Sequence, residues 1–180
     1  MTFYRSYAFY IQEGQNVILS RDRRNDLAAA YDRYADMLFR IALSHTQSKE
    51  DAEDAVQDVF TKYITVCAKF SDDAQEKAFL IRATVNRCRD LVRRKKIREH
   101  DSLDDITEIP SEEKDTEIIR TLNLLPEKYK TAIVLHYLEG FSVEEVARIL
   151  SISLSGAKMR LSRGRELLKN LIVDEEKSDV

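Results

Sequence analysis

The sequence predicts an all-α fold of two small helical domains joined by an acidic linker, and three observations carry that prediction. In 180 residues there are only 4 glycines and 2 prolines, too few breakers for a chain of short strands and tight turns. Apolar residues recur at three- and four-residue intervals through most of 26–98 and again through 116–173, the period of helices with one buried face. Between these stretches, from 99 to 115, acids gather around Pro110 and the period lapses, as expected of a tether rather than a packed element. Apolar residues make up 43% of the chain, enough for packed cores and too many for a disordered chain.

Taken in order, residues 1–25 form an N-terminal arm of unknown role. Its alternating aromatic and polar residues followed by Glu13-Gly14-Gln15-Asn16 suit a short hairpin, and an unstructured arm suits them as well. From Asp26 the period turns helical, with Leu27, Tyr31, Tyr34, Leu38 and Ile41 on one face. Ser48 and Asp51 are spaced as a capping box ahead of a helix that sets Val56, Phe60, Tyr63 and Cys67 on one face and Asp54, Gln57, Asp58 and Thr61 on the other. Ser71 to Gln75 form a short loop, and a third helix runs from about Glu76 to Arg98, turning basic at its end. In the second domain Ile119, Leu122 and Leu125 pack, and Pro126 opens a helix at its first turn, where a missing N–H is harmless. That helix stops at Gly140; Ser142 and Glu145 then form another capping box for a helix burying Val143, Val146, Ile149 and Leu150. Ser151 to Ser153 make a tight turn into a basic helix ending near Leu171, with an acidic tail over 174–180. Two short helices joined by three or four residues are the signature of a helix-turn-helix.

Net charge is −3, but the signs are segregated. Arg82, Arg87, Arg89, Arg93, Arg94, Lys95 and Lys96 face only Asp90, whereas the linker brings Asp101, Asp104, Asp105, Glu108, Glu112, Glu113 and Asp115. Segregated charge predicts separate surfaces with separate partners. The stretch SVEEVARILSISLSGAKMRLSRGR sharpens this, being acidic in its first helix and bearing Lys158, Arg160, Arg163 and Arg165 in its second. In a helix-turn-helix the first helix supports and the second enters the major groove, so base is needed only in the second. Ser153, Leu154 and Ser155 at its start are placed for base edges, and the later cations for phosphates. A solvated amphipathic helix in a bundle is the plainer alternative.

Other classes find little support. No triad spacing and no Gly-rich phosphate loop occur, so an enzyme is not expected. His45, His100 and His136 are scattered and the cysteines, Cys67 and Cys88, form no CxxC pair, so neither a metal nor another cofactor is expected. The isolated thiols and the want of an apolar signal segment or membrane span point to the cytoplasm.

The segment from Leu125 to Leu168, with Leu125-Pro126, Glu139-Gly140, Glu145-Val146-Ala147 and the spaced Arg160, Arg163 and Arg165, resembles region 4 of bacterial sigma factors, especially the extracytoplasmic-function (ECF, group IV) type. It departs from them at Gly156-Ala157, where Thr-Val is usual. Upstream, DAEDAVQDVF resembles region 2.2 of that family, and AFLIRATVNRCRDLVRR resembles its following helix, with Phe79 for the usual Trp and Asn86, Asp90, Arg93 and Arg94 in register. Both blocks stand in the family's order around the linker.

The resemblance implies a region 2-like bundle of three to four helices over 26–98 and a region 4-like helix-turn-helix domain over 116–173. Such a protein directs core RNA polymerase to promoters and opens the minus-ten element. Asp51, Asp54, Gln57 and Asp58 would bind core polymerase. Ser71, Asp72, Asp73, Phe79, Arg82, Asn86, Arg89, Arg93 and Arg94 would hold the minus-ten element as a single strand, with Arg87 beside them. Ser153, Leu154, Ser155, Lys158, Arg160, Arg163 and Arg165 would bind the minus-thirty-five duplex. The linker would thread through the polymerase cleft, and an anti-sigma factor is the implied inhibitory partner. Two alternatives stand beside it: a stand-alone helix-turn-helix regulator, and a sigma-like protein that binds polymerase without initiating. With so little apolar surface in the linker, the two domains are expected to move independently when free.

Overall fold

The amphipathic periods of the first half place three helices around one core in the computed structural model, which describes residues 21–66, 70–101 and 120–178, with side chains over 24–65, 70–97 and 120–172. Helix α1 spans Arg21–Thr46, α2 Lys49–Val66 and α3 Asp73–Asp101. Leu27, Ala30, Tyr34, Leu38, Ile41 and Ala42 of α1 meet Ala52, Ala55, Val56, Val59, Phe60 and Ile64 of α2. Ala78, Leu80, Ile81, Val85 and Cys88 of α3 close the bundle. An aromatic row, Tyr31–Phe60–Tyr63–Phe70–Phe79, crosses all three helices with ring centroids 5.0 to 6.5 Å apart.

Ser48 caps α2 as expected, its Oγ accepting from the Asp51 N–H at 3.2 Å. The start of α3 differs from expectation. The helix begins at Asp73, because the Asp72 carboxylate accepts the Gln75 N–H at 2.7 Å and so supplies an N-cap. The loop therefore shrinks to Ser71 and Asp72, and Gln75 turns its own Oε1 back to the Ser71 N–H and hydroxyl.

The second half builds a helix-turn-helix. A helical turn at 120–123 precedes Pro126, whose carbonyl accepts from Tyr129 and Lys130. Helix α4, Glu127–Ile133, runs on into a single π-helical turn, Val134–Leu138, where the sequence predicts plain helix. Gly140, at φ +74°, ends it, a left-handed conformation that costs glycine little. The capping box at α5, Val143–Leu150, is complete: Ser142 Oγ accepts from the Glu145 N–H at 3.2 Å and Glu145 Oε2 from the Ser142 N–H at 2.8 Å. Ser151 adopts φ +54° in the turn, and α6, Leu154–Ser178, follows. It runs past the expected end at Leu171 into the acidic tail, just as α3 runs into the first residues of the linker. Residues 1–20, 67–69 with Cys67 among them, the linker from 102 onward with Ile119 beyond it, and 179–180 lie outside the described residues.

The two halves touch. Expected to move independently, they dock through their helices rather than through the linker: α1 meets α4, and α3 meets α5. Their buried apolar side chains form one cluster.

Candidate polymerase and nucleic-acid interfaces

Three surfaces gather the residues singled out in the sequence. On α2, Asp54 and Asp58 are exposed and Asp51 and Gln57 half-buried, on the side away from the core. Asp58 is not wholly free for a partner, since its Oδ2 lies 2.5 Å from Arg87 Nε on α3.

On α3, Arg82, Asn86, Arg89 and Arg93 follow one another at intervals of four, three and four, which lays them along one face of a helix. The opposite face carries the buried Ile81, Thr84, Val85 and Cys88, so the stripe is pushed outward by the packing of the core. Asn86, Arg89, Arg93 and Arg94 are exposed, and Arg93 leans on Asp90 at 3.0 Å. Arg82, only half-exposed, instead donates from Nη1 to the Ile149 carbonyl at 3.1 Å. Phe79 packs against Phe70 at the head of the stripe. Ser71, Asp72 and Asp73 sit there too, but each is tied locally: Ser71 to Gln75, Asp72 as the cap, and Asp73 to Arg33 at 3.1 Å. Beneath them lies a node that the sequence did not disclose. Glu76, at 7% exposure, accepts from the Tyr63 hydroxyl at 2.5 Å and from Arg33 at 3.1 Å. Burial first, then the Glu76 carboxylate, pushes the Tyr63 phenol far above its ordinary value, so the hydroxyl stays a donor.

On α6, Ala157, Leu161 and Gly164 are buried, so the face turned out holds Ser155, Lys158, Met159, Ser162, Arg163 and Arg165. All six are exposed, whereas Arg160 lies on the flank and is half-buried. Ser162 and Met159 were missed; counting outward from the buried 157–161–164 period would have found them. Ser153 is the cap, its Oγ accepting from the Gly156 N–H at 3.1 Å and meeting Ser155 Oγ at 3.1 Å. A Cβ on Gly156 would stand 3.1 Å from that Oγ, so glycine leaves room for the cap. The Arg163 guanidinium against the Tyr129 hydroxyl draws the phenol below its ordinary value. Among the described residues no group of side chains could hold a metal ion, and no helix is long and apolar enough to cross a membrane.

Known proteins share both halves. Residues 30–97 match the family model of sigma-70 region 2, and 115–168 that of sigma-70, region 4. The ECF RNA polymerase sigma factor SigM of Mycobacterium tuberculosis is 32% identical over 170 residues, covering 84% of this chain and 87% of its own length. RNA polymerase sigma factor SigV of Bacillus subtilis is 30% identical over 146 residues, 78% of this chain and 87% of its own. Two solved structures share the fold. One is the sigma factor RpoE bound to the anti-sigma factor NepR of Bartonella quintana (TM-score 0.64, 24% identity, 85% of this chain and 98% of that one). The other is CnrH bound to the cytosolic domain of CnrY (TM-score 0.66, 23% identity, 94% and 97%). With a relative this similar along most of both chains and both regions matched in order, this protein belongs to the ECF sigma factors, the non-enzymatic subunits that direct RNA polymerase to promoters.

Proposed function

We propose that this sigma factor divides its work among the three surfaces, with residues 26–98 and 116–173 as the two working domains. Asp51, Asp54, Gln57 and Asp58 meet core polymerase. The α3 stripe, headed by Phe79 and the Ser71–Asp73 turn, takes the minus-ten element as a single strand. The outward face of α6, with Ser153, Leu154 and Ser155 at its start, reads the minus-thirty-five duplex while Lys158, Arg160, Arg163 and Arg165 hold phosphates.

The observation that carries this reading is the stripe itself, with an exposed amide, Asn86, set between arginines on one outward face of α3. Unstacking a base costs a few kcal/mol, which a melted strand recovers by stacking and by hydrogen bonds to base edges. The Asn86 amide offers both a donor and an acceptor for such an edge, and the flanking guanidinium groups attract the backbone in a salt-dependent way. Over 99–115 the acidic linker threads the polymerase cleft in place of nucleic acid. An anti-sigma factor is its inhibitory partner, a reading supported by RpoE, solved in complex with the anti-sigma factor NepR, and the protein works in the cytoplasm, beside the polymerase.

Run-off transcription with core polymerase and a set of promoter fragments tests this. The wild type is expected to initiate only with core present. Asn86→Ala should bind core normally but lose permanganate-reactive thymines at the minus-ten element. Lys158→Ala should weaken duplex binding on every template and flatten its logarithmic salt dependence by about one. DNA binding without core, and no transcript on any template, would instead mark a stand-alone regulator.

A further inference from the structure

Helix α6 carries one line of residues that its cations do not fill. Ser155, Met159, Ser162 and Glu166 follow one another at intervals of four, three and four, and all are exposed. They stand opposite the buried Ala157, Leu161 and Gly164, so the line points away from the domain core. Cations flank it on both sides: Lys158 and Arg165 on one, Arg163 and the half-buried Arg160 on the other. The line itself holds no cation, and Glu166 closes it with an acid. Within it Met159 is the one long uncharged side chain, 47% exposed between two serines. The hydroxyls at the start of the helix are partly committed already, since Ser153 Oγ accepts from the Gly156 N–H and meets Ser155 Oγ, each at 3.1 Å.

We propose that Met159 determines specificity by packing against the C5 methyl of one thymine in the minus-thirty-five duplex. The assignment rests on α6 being the groove-facing helix, as read above, and adds a base contact beyond Ser153, Leu154 and Ser155. A major groove carries phosphates along both rims and base edges on its floor. A helix with cations on both flanks and none between them therefore settles with its middle line over the floor. On that floor thymine alone offers a methyl group. A methionine thioether has no donor and is a weak acceptor, so it has little to exchange with a purine edge or a cytosine amine. Pressed against such an edge it would leave a polar group unpaired, which disfavours the other bases at that position. Its flexible, polarisable chain can instead follow a methyl closely, and the contact removes apolar surface from water on both sides. Met159 also reaches further than Ser155 and Ser162, so it meets the bases before they do.

Base analogues test this with holoenzyme assembled from the full-length chain and core polymerase. Duplexes are selected from a pool randomised over the minus-thirty-five region, and the enriched duplex is remade with each thymine in turn replaced by deoxyuridine. That change removes the methyl and keeps the hydrogen-bonding edge. At one position it is expected to weaken wild-type binding roughly four-fold, about the 0.8 kcal/mol of one buried carbon. Met159→Ala should bind the thymine and deoxyuridine duplexes equally, and Met159→Leu, still apolar, should keep most of the difference. Selection with Met159→Ala should lose the thymine preference at that position and keep its preferences elsewhere. A selected element without thymine, a wild type indifferent to every methyl, or a methyl effect that survives Met159→Ala overturns the proposal. Lys158→Ala separates the two ideas. If it weakens binding to every duplex while no methyl matters, the thymine contact fails and the reading of α6 stands; if neither it nor Met159→Ala alters binding, the reading of α6 fails and the proposal with it.

Discussion

Gly164 shows how much one missing carbon decides. It lies on the buried side of α6, and a Cβ there would stand 2.8 Å from Ile133 Cγ1 and 3.1 Å from its Cδ1. Helix α6 thus approaches α4 more closely than any other residue would allow. Gly164→Ala gains helix propensity of about 0.8–1 kcal/mol but overpacks this contact at a cost of about 1–3 kcal/mol. A net loss of stability is therefore expected, measured by urea unfolding of the purified protein, with a midpoint shifted downward. In the sequence Gly164 reads only as a weak point in a helix, because the partner that requires it, Ile133, lies far back along the chain. Asp72 and Asp73 teach the same lesson from the other side. Their acidity is visible in the sequence, but that one caps α3 and the other pairs with Arg33 depends on a neighbour brought near by the fold. Local chemistry such as the Ser48 and Ser142 caps was legible, since both partners lie within one turn.

At the scale of elements, helix existence and buried faces followed from the sequence, while ends and interruptions did not. The complete capping box of α5 makes a definite prediction: Ser142→Ala removes the acceptor for the Glu145 N–H and should cost about 1 kcal/mol. Thermal melting checks it, and Ser142→Asp, which keeps an acceptor, should recover most of the loss. Loss of the cap should also weaken minus-thirty-five binding, because α5 sets the angle at which α6 is presented. The π-helical turn was not legible at all. Nothing in Val-Leu-His-Tyr-Leu breaks helical periodicity, and the turn is held by tertiary context, with the His136 ring Nδ1 2.6 Å from the Phe141 carbonyl and the Phe141 N–H on Leu135 O. The outward stripe on α3 was partly legible. Asn86, Arg89, Arg93 and Arg94 stand where the sequence suggested, whereas the attachment of Arg82 to Ile149 joins residues 67 apart in the chain.

For the whole molecule, the meeting of the halves is sensitive to acid. His45, with 2% of its side chain exposed, is held below its ordinary pKa chiefly by burial; nearby Glu127 pulls the other way, and Lys130 and Arg89 add to the lowering. Cys88, on the neighbouring α3, is neutral. A group whose value is depressed by folding supports the folded arrangement above its free value, near 6.5, and that support is lost as pH falls through the lowered one. Glu127 runs in the same direction but over a lower range: burial alone would raise it, yet His45 and Lys130 hold it down to about 2, so its share fades only below about 4.5. Melting temperature should therefore fall between pH 7 and 5, and His45→Gln should flatten that slope and also lessen the loss below about 4.5, since His45 helps hold Glu127 down. A slope that survives the substitution would assign the acid response elsewhere. The docking of the two halves was not legible in the linker, and the helices that meet carry no mark of it in their own periods, since the paired Arg40 and Glu139 each read as ordinary surface charges.

Cys88 lends this arrangement a clock. Its thiol is buried between α1 and α3, 4.0 Å from the Ala42 carbonyl, and burial raises its pKa to about 12. In the closed protein it is therefore neither ionised nor reachable. Once Cys67 is replaced by serine, a thiol reagent can consume the protein only as fast as the helices around Cys88 come apart. The labelling rate then counts openings one molecule at a time, and comparing it with and without DNA or polymerase tells whether a partner waits for those excursions or prevents them.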